Sequence, residues 1–181
     1  MLKLKKEYKN IDLQGIALSR LDKIIVEHTE EKEFLNALKN RVGEEIKYLK
    51  EADILDYLKL CYILKQKANE DKRVLYMGLK LTNTFITPYL LQLDINRPID
   101  YYKYTKVLQQ MKLTDFTYRT IVTEDSYIDE ITKYVEEVIE NKVQYEKGVF
   151  EGTNKKPVLM KIEDRENITF IDVFFDLESI V

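Results

Sequence analysis

The sequence predicts a mainly α fold: a multi-helix bundle with a small β-hairpin at its C-terminal end. Three observations carry this. Glycine and proline, which helix interiors tolerate poorly, number only 5 and 3 in 181 residues. Apolar residues recur at three- and four-residue spacing over residues 13–143. After Gly148 the period changes to two, in segments rich in β-branched and aromatic residues.

Taken in order, residues 1–10 alternate Leu2 and Leu4 with Lys3 and Lys5, which suits a brief strand or a frayed tail. Asp12 can cap a helix whose inner stripe is Leu13, Ile16, Ala17, Leu21, Ile24, Ile25 and His28. Thr29 is placed to cap the next, and Glu30, Glu31 and Glu33 suit the positive end of its dipole. Phe34, Leu35, Leu38, Val42, Ile46 and Leu49 then form one stripe, with Lys and Glu opposite. Asp53 can cap a third helix, with Ile54, Leu55, Leu58, Cys61, Tyr62 and Leu64 inward.

Residues 74–95 carry one charged side chain before Asp94, Lys80, in a chain that is 34% charged. This stretch is expected to be the most buried. Val74, Met77, Leu81 and Phe85 align as one helix face, and Thr87 with Pro88 reads as the cap and first residue of a second helix. Asp100 can cap a tyrosine-rich helix over 101–111, and Phe116, Tyr118, Ile121 and Val122 suggest a further short piece. Ser126 and Asp129 form a variant of the capping box. The helix they introduce carries Tyr127, Ile131, Tyr134, Val135 and Val138 to Val143, and Gly148 suits its left-handed terminus.

Residues 158–162 and 168–177 read as the two strands of a hairpin. In the second, Ile168, Phe170, Asp172, Phe174 and Asp176 alternate with Thr169, Ile171, Val173, Phe175 and Leu177, so both faces carry apolar side chains. The seam at 148–156 divides a helical domain, 1–148, from a hairpin appendage packed on it, 149–181.

Function is narrowed mainly by exclusion. The net charge is -3 with signs mixed along the chain, which does not draw it to nucleic acid or an anionic membrane. A single cysteine, Cys61, excludes an intramolecular disulfide and fits a reducing compartment. The charged start lacks the apolar run of a secretory signal, and no stretch has the roughly 20 uninterrupted apolar residues of a membrane span. These features suit a cytoplasmic protein without a membrane partner. His28 is the only histidine, which excludes multi-histidine metal sites. Arg20 and His28 resemble the Arg and His of the helical HEPN ribonucleases in residue type. Seven residues separate them, wider than that family's spacing, so the motif is lacking. Cys61 falls within an apolar stripe, the acidic clusters suit solvated helix faces, and no glycine-rich phosphate loop is present. No cofactor, metal or catalytic activity is expected.

What remains favours a non-enzymatic interaction protein: an adaptor, accessory subunit or inhibitor of a larger complex, of the kind phages and mobile elements encode. It would self-associate or bind a protein through Phe170, Val173, Phe174 and Phe175, on the strand with two apolar faces. The alternative is a nucleic-acid-binding regulator. Arg97, Tyr102, Lys103, Lys106 and Arg119 would then supply stacking and phosphate contacts.

Overall fold

The computed structural model describes residues 2–27, 32–78, 85–93, 119–123, 125–150, 158–165 and 168–176. Helices hold more than half of these, and the fold is mainly α: α1 (Lys6–Lys9), α2 (Leu13–Glu27), α3 (Lys32–Glu51), α4 (Leu55–Glu70), α5 (Ile86–Leu90) and α6 (Ile128–Val138). Five strands accompany them: β1 (Leu75–Gly78), β2 (Arg119–Thr123), β3 (Lys142–Phe150), β4 (Val158–Arg165) and β5 (Ile168–Asp176). They form one sheet in the order β1-β2-β4-β5-β3, antiparallel except for the parallel pair β3 and β5.

Helix α4 is enclosed on several sides. Tyr57, Leu58, Leu60, Cys61, Ile63, Leu64 and Ala68 are all buried, on more than one face. Helices α2 and α6 bury single stripes, as an amphipathic sequence requires. In α2 these are Leu13, Ala17 and Leu21; in α6, Ile128, Ile131, Thr132, Val135 and Val138. The expectation that 74–95 is the most buried stretch is met only by its second half. Val74 is 45% exposed, while residues 85–88 and Leu90, Leu91 and Leu93 are buried. Residues 79–84 lie outside the described residues.

Three expected helical segments are strands. The run beginning at Val74 forms β1, which pairs with β2 from Leu75 opposite Thr123 to Gly78 opposite Thr120. An apolar run this short satisfies either period, and the β-branched partner Thr120-Ile121-Val122-Thr123 decides for the strand. For the same reason 119–123 extends rather than coils. The last helix stops at Val138, and β3 starts at Lys142. Gly148 is therefore not a helix terminus; it pairs with Phe174 inside the sheet. No capping box forms at Ser126: residues 125–127 make a 3-10 turn, and Tyr127, which precedes α6, makes no side-chain cap. The strands β4 and β5 pair antiparallel from Arg165 opposite Ile168 to Leu159 opposite Phe174. Strand β3 crosses the expected boundary after residue 148.

The chain's start is anchored rather than frayed. Leu4 bridges to Ile139, Lys5 N–H donates to the Val138 carbonyl at 2.9 Å, and Glu140 N–H donates to the Lys3 carbonyl at 2.8 Å. Leu4 is fully buried.

Scarce glycine shapes the helix ends. After α3, Asp53 N–H donates to the Lys50 carbonyl and Ile54 N–H to the Leu49 carbonyl. After α4, Lys72 and Arg73 do the same to Asn69 and Ala68, and after α5, Gln92 and Leu93 to Tyr89 and Pro88. This is the Schellman closure, which needs a left-handed residue. Asp53, Lys72 and Gln92 supply it, with φ of 58°, 55° and 61°. Asp53 thus ends α3 and does not cap α4; Ile54 precedes α4 and makes no side-chain cap.

Candidate functional site: a cationic cleft and an open sheet edge

The described residues line an open cleft of about 740 Å³ between α2, α4 and the end of α5. That volume suits a small organic ligand. From α2 and the residue that caps it come positions four apart along one face, Asp12, Ile16 and Arg20, with Gly15, Ser19 and Lys23 beside them. From α4 come Tyr62 and Gln66, and from α5 and its terminus Leu90, Leu91 and Gln92. Asp12 is committed to structure: its Oδ1 accepts the Gly15 N–H at 3.0 Å and so caps α2, as its position in the sequence predicted. A Cβ on Gly15 would lie 2.4 Å from Asp12 Oδ2, so a side chain there would push the cap aside.

Arg20 lies at the other end, two turns along α2 from Asp12, about 12 Å away. It is half-buried and makes no ion pair among the described residues. The Gln92 amide, with Oε1 turned toward it, accepts from Nη2 at 2.7 Å and from Nη1. Arg20 Nε is shielded from solvent and has no hydrogen-bond acceptor among the described residues. The sequence signal for this pairing is faint. Gln92 and Arg20 are 72 positions apart, and only the left-handed closure of α5 turns one toward the other.

A second polar cluster holds the fold rather than facing a cleft. Glu45, on α3, is fully buried. It accepts from Arg41 Nε at 2.9 Å, Ile86 N–H at 2.9 Å, Thr87 N–H at 2.8 Å and the Thr87 hydroxyl at 2.6 Å. Phe85, not Thr87, occupies the cap position of α5, and it makes no side-chain cap. A carboxylate from another helix caps α5 instead, and Pro88 sits third in that helix, where its missing N–H is not needed. Burial pushes the Glu45 carboxyl above its ordinary value, against the pull of Thr87, the Ile86 amide and Arg41.

A third cluster ties α4 to α6. Asp71 accepts from Lys67 at 2.7 Å and from the Tyr127 hydroxyl at 2.5 Å, and Lys67 lies 3.6 Å from Glu130. The Lys67 and Tyr127 hydrogen bonds hold Asp71 below the usual carboxylate range. Burial and then Asp71 push the Tyr127 hydroxyl up, and burial with Tyr8 pushes Tyr134 up to about 12. Both tyrosines stay neutral at neutral pH.

No family model matches this chain, and no curated protein or solved structure matches it. The residues themselves carry the reading.

Of the residues expected to meet a partner, Phe170, Val173, Phe174 and Phe175 all lie on β5. That strand is interior. It pairs with β4 on one side and β3 on the other, with Phe170 between Glu163 and Gln144, and Val173 between Met160 and Lys147. Both its backbone edges are paired, so a partner meeting these residues would approach a face of the strand rather than its edge. The sheet's outer strands are β1 and β3. Of the expected nucleic-acid contacts, Arg119 begins β2 opposite Ile162. Arg97, Tyr102, Lys103 and Lys106 lie outside the described residues. Among the described residues no group of three His, Cys, Asp or Glu side chains could hold a metal ion, and no helix is long and apolar enough to cross a membrane.

Proposed function

We propose that this chain is a non-enzymatic interaction protein that works through the outer edge of β3, paired with the same edge of a second copy. One observation carries the reading. β3 is nine residues long and, among the described residues, has a strand neighbour on one side only, β5. An edge of that length presents a row of backbone donors and acceptors that another strand can complete.

The sequence of the edge favours a copy of itself. β3 reads KVQYEKGVF. An antiparallel pair with its two-fold axis between 146 and 147 sets Glu146 opposite Lys147 of the copy, twice. It also sets Val143 opposite Phe150 and Tyr145 opposite Gly148. Opposite charges and Val–aromatic pairs across strands each contribute about 0.2–1 kcal/mol. The dimer would then serve as an adaptor or accessory subunit of a larger assembly. A cytoplasmic setting belongs to the same proposal, and the lone cysteine of the chain, Cys61, buried within α4, supports it.

Sedimentation equilibrium tests this. The wild type is expected to dimerise. Glu146→Lys places like charges opposite and weakens the dimer roughly ten- to thirtyfold. Adding Lys147→Glu restores the pairing. A monomer at every concentration, or a dimer indifferent to both changes, overturns the proposal.

A further inference from the structure

We infer that the cleft of α2, α4 and α5 binds a small organic monocarboxylate, with its carboxylate at Arg20 and its apolar body along Ile16, Leu90 and Leu91. Three independent features converge there. Among the described residues the half-buried Arg20 guanidinium faces no carboxylate and its Nε has no acceptor. A cation withdrawn from water without an anion is costly, and a ligand's anion would relieve that cost. Lys23, one turn further along the same face, adds a second cation to that end.

The second feature is the residue that orients Arg20. Gln92 occupies a left-handed position, φ 61°, where glycine is the unstrained choice. It accepts the conformational cost while its amide oxygen, turned toward Arg20, accepts from Nη2. That hydrogen bond turns the guanidinium without neutralising it, as a receptor for an anion requires.

The third feature selects the ligand. The lining is apolar between its charged ends, through Ile11, Ile16, Leu90 and Leu91, with the Tyr62 ring beside them. Asp12 stands at the far end. A phosphate dianion would need more donors than one guanidinium and one ammonium. A single carboxylate at Arg20 with an apolar stem along Ile16, Leu90 and Leu91 suits the lining.

Calorimetric titration of the full chain with octanoate tests this, with 1-octanol and inorganic phosphate as controls. Octanoate is expected to bind at least tenfold more tightly than octanol, and phosphate not to bind. Arg20→Met, which keeps the stem and removes the charge, should weaken octanoate about tenfold or more. Gln92→Gly gives a readout that survives if Arg20→Met fails to fold. It should raise the urea midpoint without ligand, because the left-handed strain is relieved, and weaken octanoate severalfold, because Arg20 is no longer oriented. Equal binding of octanoate and octanol overturns the inference. So does unchanged octanoate binding in Gln92→Gly. Tight phosphate binding would overturn the choice of ligand class.

Discussion

Replacing Glu45 with alanine should be among the most damaging single changes in this chain. The carboxylate is fully buried and serves four donors: Arg41, two N–H groups of α5 and the Thr87 hydroxyl. Alanine leaves all four without it. A buried donor left unpaired costs about 1–3 kcal/mol, and breaking a buried ion pair about 3–5 kcal/mol. The terms overlap at Arg41, which is 6% exposed, so their full sum overstates the loss. About 4–5 kcal/mol is expected, a large share of the 5–15 kcal/mol typical of a domain. Glu45→Gln keeps the volume and one acceptor oxygen, and should cost about half as much. Urea titration followed by circular dichroism measures both. The pH dependence adds a check of sign. Because burial raises the Glu45 carboxyl above 4.5, the folded state holds its proton more tightly than the unfolded chain does. Its contribution is complete below that value and is lost as pH rises through the folded value, a slope that Glu45→Gln should remove. A loss under about 1 kcal/mol in Glu45→Ala would refute the reasoning, since four buried donors cannot be abandoned so cheaply.

Further outcomes follow from the same structure. Asp53→Gly and Lys72→Gly should each stabilise by roughly 0.5–1 kcal/mol, because both residues hold left-handed φ values; denaturant midpoints report this. Asp71, held low by Lys67 and Tyr127, stabilises the fold above its ordinary value of 3.8. That contribution is lost as pH falls through the depressed value, so Asp71→Asn should flatten the acid limb of the stability profile. Leu4→Ala should cost about 2–5 kcal/mol by thermal or urea denaturation, because the side chain is fully buried against α6 despite its place near the chain's start.

Periodicity located most of the helices. Among the described side chains, Leu13, Ala17 and Leu21 of α2, Leu38, Val42 and Leu49 of α3, Leu58, Cys61 and Leu64 of α4 and Ile131, Val135 and Val138 of α6 are buried where three- and four-residue spacing put them, because a helix needs only its own sequence to define a face. Asp12 capped α2 as its position implied. Strands depended on partners. β1 is four residues of apolar chain that suit either conformation, and β2, at least 41 residues later, decides the matter. The same holds for 142–150, which continues a helical stripe in sequence but is drawn into the sheet by β5.

The two candidate sites divide along the same line. The edge status of β3 and the interior status of β5 come from strand order, which no local pattern encodes. The meeting of Arg20 with Gln92, and of Glu45 with the start of α5, joins residues tens of positions apart. By itself the sequence determined where this chain coils and which faces of its helices are apolar, since those follow from local spacing and propensity. Only the tertiary structure decided which backbone edges are taken and which buried charges find a partner, because both depend on contacts that close long loops.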